Sequence, residues 1–143
     1  MLPLSVLVDR IREQVPEFAN VTGVAELVAA KGIAQRRPAC YIAPGQETAD
    51  RDAMIGRASQ RVRETFGIWI AVANGASATG AAAQEQLGTL AAAARAALVG
   101  WQPDAEHTPI ELVSAGPVQW DDDQTLFWPE LYQTEYYLET QNG

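Results

Sequence analysis

The chain has 143 residues, of which 48% are hydrophobic and 20% charged. That balance supports a packed core and excludes the low-hydrophobicity, high-charge regime of disordered chains. The formal charge of −8 argues against a surface built to hold nucleic acid, which needs clustered Lys and Arg to neutralise phosphates. The length suits one domain spanning 1–143, because two cores would be hard to bury in so short a chain. No apolar run approaches the ~20 residues needed to cross a bilayer, and Met1 to Arg12 carry charges inside their apolar pattern, unlike an export signal. Cys40 is the only cysteine, so an internal disulfide and a multi-cysteine metal site are both excluded. Its apolar flanks suggest a buried small hydrophobe in a chain made in a reducing cytoplasm.

Leu4, Leu7, Val8, Ile11 and Val15 recur at spacings of three and four, the period of an amphipathic helix that Pro16 should stop. Phe18 to Val21 reads as a turn. A short second helix is expected from Thr22, with Val24, Leu27 and Val28 on one side and Gly32 closing it. Pro38 to Ala43 is a compact apolar run before Pro44-Gly45 and reads as a short strand, followed by a polar loop from Gly45 to Asp52. Gln60 to Val72 alternates, with Val62, Phe66, Ile68, Ile70 and Val72 facing one way and Arg61, Arg63, Thr65, Trp69 and Ala71 the other. Thirteen residues at ~3.3 Å each would span roughly 40 Å, so one end of this strand should project or bend.

Ala81 to Val99 is rich in strong helix formers, with a narrow stripe of Leu87, Leu90, Ala94 and Leu98 and a stop at Gly100 and Pro103. The remainder reads as β structure: Ile110 to Val113, Val118 to Trp120, a turn at Asp121 to Asp123, and a final strand from Leu131 to Thr140. The expected architecture is α+β, with a mainly antiparallel four-stranded sheet flanked by an N-terminal helix and one long central helix.

Candidate chemistry is sparse. The single His107 lies beside Asp104 and Glu106 in a polar loop, but no Gly-x-Ser-x-Gly nucleophile segment exists, so it is read as an ordinary exposed histidine. One His and one Cys cannot supply a zinc site, and the Asp121-Asp122-Asp123 run lacks the spacing of an EF-hand. No glycine pattern suited to cradling phosphates is present, and no cofactor is expected. Charge is unevenly distributed instead: residues 1–100 carry a net +1, whereas 101–143 hold nine acids and no Lys or Arg. Arg36 and Arg37 precede one strand, Arg61 and Arg63 lie in the next, and arginine's planar fork favours interface ion pairs. Trp69 and Trp128 are candidate contact residues, since Trp is enriched at interface hot spots.

Several stretches resemble the tail terminator family of long-tailed bacteriophages. They are the N-terminal amphipathic helix, Arg37-Pro38-Ala39-Cys40-Tyr41-Ile42-Ala43-Pro44, Gln60 to Ile68, the long helix running into Gly100-Trp101-Gln102-Pro103, and the C-terminal strands ending in Tyr136-Tyr137-Leu138. The resemblance implies a non-enzymatic structural subunit at the neck end of the virion tail. Such a subunit forms a ring, usually of six, that caps the tail tube, stops its polymerisation and offers a surface to head-completion or connector proteins. DNA would pass through the lumen without specific binding. The subunit interface would then pair basic positions (Arg36, Arg37, Arg61, Arg63) with the acidic run (Asp121, Asp122, Asp123), with Trp69 and Trp128 as aromatic contacts. Two other readings stand beside it: a head-completion or neck connector subunit, and a small carboxylate-dependent hydrolase using Asp121 to Asp123.

Overall fold

A computed structural model describes residues 1–25, 37–51, 58–74, 80–120 and 124–140. Helix α1 (Leu4–Gln14) buries Leu7 and Ile11 from the expected stripe and ends before Pro16. Strand β1 (Asn20–Gly23) follows, then β2 (Ala39–Ala49), β3 (Ala58–Ala73), helix α2 (Ala81–Leu98), β4 (Glu111–Ala115), β5 (Gln119–Trp120) and β6 (Thr125–Thr140). The strands form one sheet in the order β1-β2-β3-β6-β4, with β5 pairing the far part of β6.

This corrects the expected architecture. Among the described residues there are six strands and two helices, and the sheet is mixed, because β1 runs parallel to β2 in the register Asn20↔Ala39 to Gly23↔Ile42. Asn20 to Gly23 is too short and too polar to show a strand period, and Thr22 imitates a helix cap; pairing with β2 decides its conformation. Most of the expected second helix lies in residues 26–36, outside the described residues.

Two further differences have local causes. The stretch from Gly45, read as a loop, is the outer half of β2, with a bulge between Pro44 and Glu47. Pro44 is tolerated because β1 reaches only Ile42, so among the described residues β2 is an edge strand from there on. Gly45 is required by close approach: a Cβ there would lie 2.4 Å from Thr65 Oγ1, the hydroxyl that accepts the Gln46 amide at 2.8 Å. Strand β6 begins at Thr125, not Leu131, although it contains Pro129. The Pro129 carbonyl accepts Gly116 N at 2.8 Å, so the missing N–H faces the same side, in the gap between β4 and β5.

Both helices pack on one sheet face, where Val72, Ile70, Ile68 and Phe66 meet Leu87, Leu90, Ala94 and Leu98 of α2 and Leu7, Ile11 and Val15 near α1. The alanines of α2 allow close approach to the sheet. Gly100 takes a left-handed φ of 83° and hands its N–H to Ile110 O, turning the chain toward β4. Trp101 folds back under Arg10, whose guanidinium lies 4.8 Å from the ring centroid and whose Nε donates to Ala97 O.

Substituting Gly45→Ala should destabilise the fold by about 1–3 kcal/mol through overpacking on Thr65. Gly88→Ala, on a face of α2 where an added Cβ meets nothing within 4 Å, should stabilise it by about 1 kcal/mol. Urea denaturation of the two variants distinguishes these outcomes, and equal effects would contradict the packing described.

Candidate functional site

The alternation of β3 divides the sheet into a helix-covered face and an outer face. Arg61 and Arg63 stand on the outer face near one end of β3, opposite Tyr137 and Glu135 of β6. They are engaged within the chain: Arg61 Nη2 lies 2.6 Å from Asp50 Oδ2, Arg61 Nε lies 3.5 Å from Glu135, and Arg63 Nε lies 3.7 Å from Glu135. Exposed pairs of this kind are screened by solvent and hold the two guanidiniums only weakly.

Arg37 belongs to the other end, where its Nη1 donates to Thr125 Oγ1 at 2.5 Å. Trp69 is half-buried on the outer face beside Tyr41, Ala39, Ala71 and Phe127. Trp128 lies on the helix-covered face, in register with Ile70. The structure thus brings Arg61 and Arg63 together and separates them from Arg37, and it puts the two tryptophans on opposite faces. Arg36, Asp121, Asp122 and Asp123 lie outside the described residues.

The outer face carries a feature that single residues did not reveal. Ala43, Gly67, Leu131 and Ser114 line up across β2, β3, β6 and β4. The absent side chain of Gly67 opens a shallow trough between Trp69 and Pro129 on one side and Pro44 and Gly45 on the other. A glycine inside a strand marks a place where another backbone or side chain can come close.

Two buried carboxylates on the helix-covered face were not anticipated. Glu130 accepts from Arg95 Nε at 2.8 Å, Trp128 Nε1 at 3.0 Å and Tyr132 Oη at 2.6 Å. Burial and the Glu130 hydrogen bond push the Tyr132 phenol well above its usual range. Glu64 accepts the Leu2 amide at 2.6 Å and lies 3.3 Å from His107 Nε2, while His107 Nδ1 lies 2.8 Å from Asp104 Oδ1. His107 is therefore buried, not the exposed loop histidine expected: the Asp104 carboxylate also takes the Glu106 and His107 amides, which folds the loop so that the ring turns inward. The signal for Glu64 was present, since the alternation that buries Val62 and Phe66 also buries position 64.

With both imidazole nitrogens engaged by carboxylates, His107 has no free position for proton transfer to a substrate. Among the described residues, no group of three or more His, Cys, Asp or Glu is placed to hold a metal ion. No described helix is long and apolar enough to cross a membrane.

The chain matches a solved structure titled "Virion of native gene transfer agent (GTA) particle" with a TM-score of 0.56 at 14% identity, over 95% of this chain and 93% of that one. A family model described as phage tail terminator protein matches residues 1–142, and the chain belongs to that family. Membership makes it a structural protein of the phage virion tail. No curated protein sequence matches it.

Replacing Arg95 with Met strands part of the buried Glu130 charge, although Trp128 and Tyr132 still donate to it. A loss of about 2–3 kcal/mol is expected in chemical denaturation. The double variant Arg95→Met/Glu130→Gln should lose less than the single one, because no buried charge is left stranded and the amide oxygen can still accept from Trp128 while its NH2 donates to the Tyr132 hydroxyl oxygen. Hydrogen bonding from His107 holds the Asp104 carboxyl below its ordinary value. Its stabilising contribution is present above the usual carboxylate range of about 4 and is lost as pH falls through the lower folded value. The stability gap between the native chain and Asp104→Asn should accordingly close on acidification below about pH 4; a gap that widens would contradict the pairing.

Proposed function

We propose that the protein acts as the tail terminator itself. Copies close into a ring, with six as the expected number, on the head-proximal end of the tail tube. The ring stops tube growth and offers its other side to a head-completion or connector protein. The whole chain, 1–143, serves as one such unit, binds no cofactor, turns nothing over, and lets DNA pass through its lumen without specific binding. The observation that carries this reading is the family match across residues 1–142.

Physical features support it. A ring of identical subunits needs heterologous contacts whose rotation closes, and the chain has differently charged regions to supply them. Residues 101–143 carry a net −9, which would keep passing DNA from adhering if they faced a lumen. Arg36, Arg37, Arg61 and Arg63 would meet the acidic run Asp121, Asp122 and Asp123 of a neighbour, with Trp69 and Trp128 among the aromatic contacts. For Arg61 and Arg63 this means exchanging Asp50 and Glu135 for a partner's carboxylates.

Tail tubes assembled without the protein should grow past their normal length, and adding it should restore a uniform length with one copy of the ring per tube. Length distributions from electron micrographs measure this. Tubes of normal length in its absence would refute the capping role.

A further inference from the structure

We propose that one proton, held between His107 Nε2 and Glu64 Oε2, is a latch that fastens the 101–109 loop and the Leu2 segment to β3, and that its removal at raised pH opens both. The latch does not depend on ring formation.

The count of donors and acceptors makes that proton necessary. A carboxylate only accepts hydrogen bonds, and a neutral imidazole has one donor nitrogen and one acceptor. Each nitrogen of His107 faces a carboxylate oxygen: Asp104 Oδ1 lies 2.8 Å from Nδ1, and Glu64 Oε2 lies 3.3 Å from Nε2. The Asp104 side is the better fixed, because the same oxygen accepts the Glu106 and His107 amides at 2.9 Å. A neutral ring therefore keeps its hydrogen on Nδ1 and turns the lone pair of Nε2 on Glu64. Two acceptors then oppose each other where both side chains are only 7% exposed. A proton on either atom converts that opposition into a hydrogen bond, so the pair titrates as a unit.

The surroundings supply no substitute for the proton. From β6, the Tyr136 ring packs on the imidazole with centroids 5.2 Å apart, and its hydroxyl donates to Glu47 of β2 at 3.1 Å. Burial and that hydrogen bond raise the Tyr136 phenol above its ordinary value, so it remains neutral. The Met1 ammonium lies 3.5 Å from Glu47, and Arg10 of α1 is turned to Ala97 O and the Trp101 ring. Glu106 adds a further acid to the loop. Among the described residues no lysine or arginine pairs with Glu64 or Asp104, and the remaining donor to Glu64 is the Leu2 amide, 2.6 Å from Oε1. A single amide leaves a buried carboxylate poorly compensated.

Opening is the relief that the geometry offers. Leu2 and residues 101–109 shield Glu64, and neither belongs to a helix or strand, so they lift at lower cost than β3 can move. A cavity of about 20 Å³ lined by Leu2, Glu47 and Glu64 has room for about one water and is where more water enters as the segment lifts. The closed form holds a proton that the open, hydrated form gives up. Rising pH therefore favours opening, by up to about tenfold per pH unit for one proton.

His107 is the only histidine, so its ring nitrogens give one unassailable set of NMR signals in the full chain. Amide exchange is followed beside them and expressed as protection factors, which remove the intrinsic rise of exchange with pH. As the ring and the Glu64 carboxyl signals report loss of the proton, protection at Leu2 and His107 should fall by close to tenfold per pH unit. Ile70 and Leu98 in the core should stay protected. In Glu64→Gln the side-chain NH2 donates to the neutral imidazole while the amide oxygen still accepts from Leu2, so protection at both sites should be level across the same range. If that variant does not fold, the native titration decides alone. Native protection that stays constant through loss of the proton, a fall shared by Ile70 and Leu98, or a Glu64→Gln chain that falls in parallel with the native one would overturn the latch.

Discussion

The continuous pairing of β3 with β6, from Ala58↔Thr140 to Ala73↔Thr125, is the constraint on which the other features depend. Its antiparallel register fixes which side chains turn toward the helices and which toward the outer face, because a slip of one residue would exchange the two sets. The hydrophobic row from Phe66 to Val72 needs burial under α1 and α2, and this alone selects the register. Once selected, it places Arg61, Arg63 and Trp69 outside, together with the gap at Gly67.

The same register brings two carboxylates into the covered layer. Glu64 and Glu130 are compatible with burial because each meets donors from a different part of the chain: Leu2 and the 101–109 loop for Glu64, α2 for Glu130. These contacts tie peripheral segments to the sheet at defined points. A buried carboxylate contributes little net stability compared with an apolar residue of similar volume, but it penalises every arrangement in which its donors are displaced. In the ring we propose, where each subunit repeats the same contact, that uniqueness of shape would be an advantage.

Periodicity made α1, β3 and α2 legible in the sequence, since each has enough residues to show its repeat, and Gly100 marked the end of α2. The strand β1 was not legible, because four residues cannot display a period and only the neighbouring β2 makes them a strand. Pro44 and Pro129 hid the true lengths of β2 and β6, since a proline's compatibility with a strand depends on which edge lacks a partner, a fact of topology. For the candidate surface, Arg61, Arg63 and Trp69 could be assigned to one side by alternation alone. The trough could not, because Ala43, Gly67, Leu131 and Ser114 are far apart in the chain and become neighbours only through the sheet. His107 was misjudged for a related reason: its burial depends on Asp104 shaping the loop and on Glu64 waiting 43 residues away.

Family membership makes the chain a tail structural protein, and we propose that its copies close into a ring at the head-proximal end of the tube. Electron cryomicroscopy of intact tails bears on that assignment most directly. A single closed ring of this fold at that end is the predicted result. Isolated copies, or copies distributed along the tube, would contradict it.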